Sequence, residues 1–111
     1  MQELLEKLFY TLNNALPGKV SYGIRDGLEE EPNYIVYQEL NNRGLVYADD
    51  QVQAKVSTFQ VNLITEKKDL TLEDRLESSF YFNEYEFELL SEFVNEDGSV
   101  NRVYEIKQEV F

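Results

Sequence analysis

The side chains in this sequence whose type could do chemistry are carboxylates: the adjacent pair Asp49-Asp50, and Asp97 further on. Paired carboxylates can hold a metal or share acid–base work. Adjacent Asp residues on an extended chain point to opposite sides, however, so two of them rarely share one cation. With no His in the chain, a Ser-His-Asp triad and imidazole ligation are excluded. With no Cys, there is no disulfide framework, no thiolate zinc site and no thiol nucleophile. The five glycines stand singly, and neither GxGxxG nor GxxxxGK[ST] occurs. The run Asn95-Glu96-Asp97-Gly98-Ser99 lacks the DxDxDG spacing of a calcium loop and reads as a turn. The expectation is a chain that is not an enzyme and has no catalytic residue, cofactor or metal.

Charge narrows the partners. Asp and Glu outnumber Lys and Arg by 22 to 10, a net charge of −12. Such a field repels a phosphate backbone, and the basic residues are scattered, with Lys67-Lys68 the one adjacent pair. Sequence-specific nucleic-acid binding is therefore not expected. Tyr34 and Tyr37, with glutamates nearby, suit core or interface packing better than stacking on bases. The opening residues MQELLEKLFY mix acidic and apolar side chains, so neither a secretory signal nor a membrane span is expected there. The absence of Cys fits a reducing cytoplasm.

The elements that must position these residues follow from periodicity. Over residues 2–16, Leu4, Leu5, Leu8, Phe9, Leu12, Ala15 and Leu16 form one stripe at three- and four-residue spacing. That spacing predicts a helix, which Pro17-Gly18 stops. Val20, Tyr22 and Ile24 alternate as a short strand. Asp26-Gly27 turns the chain, and Glu29, Glu30, Glu31 and Pro32 make an acidic loop. Residues 34–40 have bulk on both faces, as a central strand does. Asn41-Asn42-Arg43-Gly44 reads as the next turn.

Phe59, Val61, Leu63 and Thr65 alternate on odd numbers, whereas Val52, Ala54 and Val56 alternate on even ones. Either the strand starts near Val56 or Ser57-Thr58 holds a bulge that resets the phase. Thr71 reads as the N-cap of a second helix running to about Phe82, with Leu72, Leu76 and Phe80 inward. Phe87, Leu89 and Phe93, then Tyr104, Ile106 and Val110, give a closing hairpin around Gly98. The expectation is one domain, 1–111, of α+β class. It has a mainly antiparallel sheet of about five strands with two helices packed on one face.

This order, together with the blocks Tyr34, Ile35, Tyr37, Gln38, Glu39, then Tyr47, Ala48, Asp49, Asp50, then Phe59, Gln60, Val61, Leu63, Thr65, resembles a known family. It is similar to the tail-terminator (tail completion, head–tail joining) proteins of long non-contractile-tailed bacteriophages and related prophages. The resemblance implies a small α+β subunit that joins copies of itself in a ring, usually hexameric, on the last ring of the tail tube. It implies the major tail tube protein and the head-completion or connector protein as partners. It places the chain in the virion tail, and in the host cytoplasm during assembly, with DNA only passing through and no membrane.

A ring uses unlike edges that close on themselves, and the Tyr content offers material for them. The polar and acidic clusters beside aromatic strands, Glu29, Glu30, Glu31, Asn42, Arg43, Tyr47, Asp49 and Asp50, are expected to face a neighbour or the channel. The alternative is an acidic protein-interaction module of the inhibitor or DNA-mimic type, supported by the charge.

Overall fold

The computed structural model describes the backbone of residues 2–110 apart from Asp26, Asp49 and Asp50, and the side chains of residues 5–40 (again without Asp26) and 57–108. The order is α1 (Gln2–Ala15), β1 (Val20–Tyr22), β2 (Tyr34–Ala48), β3 (Gln51–Thr65), α2 (Leu70–Phe82), β4 (Glu86–Val94) and β5 (Val100–Val110). The five strands form one sheet in the order β1-β2-β3-β5-β4. β1 runs parallel to β2, and every other pairing is antiparallel. The fold is α+β, as the grouping of strands apart from helices predicts.

Register puts one set of side chains on a common face. Tyr37 opposes Val61, Val61 opposes Tyr104, and Phe59 opposes Ile106. These join Leu8, Leu12 and Ala15 of α1 and Leu72, Leu76 and Phe80 of α2 in a single buried core. Both helices therefore share one sheet face, and the apolar stripes read from the sequence are the surfaces that meet. Phe80 is central, with the rings of Tyr85, Phe87 and Tyr104 around it at centroid distances of 5.1–6.5 Å. Offset and edge-on arrangements at such distances add to simple area burial.

The helix ends differ in their chemistry. α1 stops where Gly18 takes φ 75°, and the Gly18 amide donates to Asn13 Oδ1 at 2.9 Å. The cap of α2 is Asp69, not Thr71: its carboxylate accepts from the Leu72 amide at 3.0 Å, one residue pair upstream of the expected site. Both residue types can cap, but Asp69 leaves Leu70 and Thr71 inside the first turn. At the other end Glu84 sits at φ 60°, with Glu84 N–H donating to Tyr81 O and Tyr85 N–H to Phe80 O. This is the six-to-one and five-to-two closure usually built on glycine, made here with a glutamate.

β2 and β3 depart from the sequence reading. Residues 41–44 are not a turn: β2 runs through them to Ala48, and the chain reverses before Gln51. Asn and Gly tolerate turn geometry, but here the antiparallel partner absorbs them as register shifts, between Glu39 and Asn41 and again between Asn41 and Gly44. Nor does β3 start near Val56 or break at Ser57-Thr58, because its register with β5 is unbroken from Lys55 to Thr65. Val56 and Phe59 therefore keep opposite phases along β3. One shift lies between Val46 and Tyr47, which oppose Ala54 and Val52, so Gln53 is the extra residue. β1 ends at Tyr22 rather than including Ile24, since Gly23 at φ 80° turns the chain and donates to Tyr37 O at 2.8 Å. In β4 a bulge between Leu89 and Ser91 moves Phe93 off the face that holds Phe87 and turns Glu92 onto it.

Candidate interaction surfaces

The sheet tapers along its length. β1 pairs with β2 no further than Tyr37, β4 begins at Glu86 opposite Lys107, and β5 ends its pairing at Val110 opposite Lys55. Among the described residues β2 and β3 alone continue, as a two-stranded arm whose last pair is Ala48 with Gln51. At about 3.3 Å per residue β3 reaches roughly 23 Å past the end of β4, of which roughly the last 13 Å, beyond Lys55, is two-stranded. The molecule is accordingly long, 52 × 24 × 24 Å, with a radius of gyration of 15.0 Å. A compact domain of this length would have one of about 13 Å.

Residues 23–33 lie at the opposite end, where they return the chain from β1 to the start of β2. Arg25 gives this loop its shape. Its Nε donates to Leu28 O and its second guanidinium nitrogen to Glu29 O and Glu31 O, each at 2.9 Å. The same guanidinium lies 4.2 Å from the centroid of the Tyr34 ring. Arg25 thus spends its donors on backbone carbonyls and its face on an aromatic ring. Glu31 is paired with Lys19 at 2.7 Å, while Glu29 and Glu30 are exposed. With Tyr34 and Asp97 they line an open acidic groove. The Asp97 carboxylate is held below its ordinary pKa by the Ser99 hydroxyl, 2.6 Å away, and then by the Ser99 amide.

The residues expected to meet a neighbour therefore fall into two groups that the fold does not bring together. Glu29, Glu30 and Glu31 belong to the loop end. Asn42, Arg43 and Tyr47 belong to the β2 backbone of the arm. Asp49 and Asp50 lie outside the described residues. From Tyr34, β2 carries the chain roughly 26 Å to Asn42 and roughly 43 Å to Tyr47.

A third cluster escaped the sequence reading. Arg102 on β5 reaches Glu92 at 2.8 Å, Glu77 at 3.0 Å and the Tyr104 hydroxyl at 2.6 Å. Tyr104 donates to the same Glu77 oxygen at 2.6 Å. Lys68 bridges Glu73 and Glu92 at 2.8 and 2.7 Å. Burial first, and then the Glu77 carboxylate that accepts its hydrogen bond, push the Tyr104 hydroxyl far above its usual pKa. Lys68 first and Arg102 second hold Glu92 below the usual carboxylate range. The signal available in sequence was spacing: Glu73 and Glu77 are one helical turn apart, and Arg102 and Tyr104 share a strand face. What it lacked was the Leu90 bulge that turns Glu92 inward. Every carboxylate here meets a cation, so the cluster clasps α2 to β4 and β5.

No protein-family model matches this chain, and the curated proteins searched include no match. Function must then be argued from surfaces. Among the described residues no group of His, Cys, Asp or Glu is placed to hold a metal ion. No described helix is long and apolar enough to cross a membrane.

Proposed function

We propose that this chain is a structural assembly protein of the phage tail-terminator type. On this reading copies of it join in a ring, usually hexameric, on the last ring of a tail tube. The ring ends polymerisation of the major tail tube protein and offers the docking surface for the head connector. The protein works by shape and adhesive edges, makes and breaks no covalent bond, and belongs to the virion tail after assembly in the host cytoplasm.

The observation that carries this reading is the difference between the two ends of one long subunit. One end narrows to the bare two-stranded arm, and the other is broad, acidic and fixed by Arg25. A subunit that halts one polymer and presents a new contact beyond it needs two unlike ends. The net charge of −12 supports the same reading, because it disfavours DNA sticking to a conduit through which it must pass.

The test is complementation of a phage or prophage lacking this gene. The native chain is expected to restore joined particles. A variant carrying Asp49→Lys and Asp50→Lys is expected to fold and yet leave heads and tails separate. If that variant joins heads to tails as well as the native chain, the arm is not the working surface. If the native chain itself restores nothing, the reading fails.

A further inference from the structure

The outer edge of β4 faces no further strand among the described residues. β4 is the last strand of the sheet, nine residues long. A free edge presents alternate backbone N–H and C=O groups with no partner, which is a template for another strand. Natural edges of this length are usually blunted by Lys, Pro, a bulge or a covering loop; β4 has no Lys and no Pro, and its bulge at Leu90 leaves residues 86–89 in regular register. All of its residues except Phe87 are exposed.

The two faces beside this edge differ in chemistry. On the helix side, Phe82 is 83% exposed and Leu89 41%, and Tyr81, Phe82 and Phe87, with Asp74, Glu77 and Ser78, line an open shelf next to the strand. On the open side, Glu86 and Glu88 point away from the helices. Glu88 stands directly opposite Glu105 in register. Like charges facing each other across a strand pair are unfavourable, and a cation laid beside them relieves this. Lys107 stands opposite Glu86 and lies 3.8 Å from Glu105.

We infer that β4 accepts, as an added strand, an extended segment of another protein in which basic and apolar residues alternate. Its backbone continues the sheet, its apolar side chains rest on the Phe82–Leu89 shelf, and its cations face Glu86 and Glu88. A second copy of this chain fits poorly. Its own β4 brings the same carboxylates, and its β1 is three residues long, about 10 Å of strand against nearly 30 Å.

The probes are two ten-residue peptides, one alternating Lys with Val and one alternating Glu with Val, titrated into the full chain by fluorescence anisotropy. The Lys peptide is expected to bind and the Glu peptide not. Amide hydrogen exchange is expected to slow along β4 and to stay unchanged in α1. Replacing Glu86→Lys and Glu88→Lys is expected to weaken the Lys peptide by about tenfold and to admit the Glu peptide. Because a general attraction to an acidic protein would also bind the Lys peptide, the exchange map decides. Binding without slowed exchange in β4, or binding unchanged by the double reversal, overturns the assignment. So does self-association that slows the same amides in the peptide-free chain, since a second copy is then the occupant. A chain that joins heads to tails normally with both glutamates reversed leaves this site independent of the assembly reading.

Discussion

Two acidic regions of this molecule use arginine in opposite ways. In the clasp, Arg102 and Lys68 meet the carboxylates of Glu73, Glu77 and Glu92 directly, and most of the acidic charge is offset by these contacts. In the loop, Arg25 binds carbonyl oxygens and an aromatic ring, so the carboxylates of Glu29 and Glu30 stay turned to solvent. The first arrangement uses acids to hold elements together. The second uses a cation to hold acids on display. Composition alone cannot separate them, because both contribute to the same net charge.

Substitutions can break this contrast. Arg102→Ala should have the largest effect, a loss of about 3 kcal/mol, because the Glu73 side chain is 5% exposed and would be left with Lys68 as its remaining cation. The urea midpoint measures it. Acid should act next, through the same cluster. Glu92 has its pKa depressed in the fold, so its contribution is present above the unfolded value of about 4.3 and lost as pH falls through the lower folded value. Urea midpoints followed from about pH 6 down to pH 3 should drop, and Arg102→Ala should flatten that drop.

Arg25→Ala should cost about 1 kcal/mol, since two of the three carbonyls it serves are exposed and water replaces it there. Its signature should instead be local, with faster hydrogen exchange at the Glu31 amide, which donates to Leu28 O at 3.0 Å. Glu29→Lys with Glu30→Lys should move stability by no more than about 0.5 kcal/mol. A large loss on that last change would mean the loop acids are structural after all.

The contrast also shows what the sequence could and could not reveal. Leu8, Leu12, Leu76 and Phe80 announce their helices because helical period and burial coincide at those positions. Phe59, Val61 and Leu63 announce β3 for the same reason at period two. The long arm stayed hidden because Asn41, Asn42 and Gly44 have turn chemistry, and only a paired strand decides whether such residues bend or bulge. The clasp stayed hidden because it joins residues 68, 73, 77, 92 and 102, and one bulge sets the face of Glu92. Glu29, Glu30 and Glu31 announce an acidic loop, yet nothing in their spacing reveals that Arg25 fixes that loop by its carbonyls.

The proposed role requires that this chain act at the end of a tube. The direct measurement is the length distribution, by electron microscopy, of tubes grown from the tail tube protein of the same genome, with and without this chain. Short, uniform tubes bearing a ring of this protein at one end are the predicted result. Tubes that grow on unchanged, with no ring at either end, would contradict it.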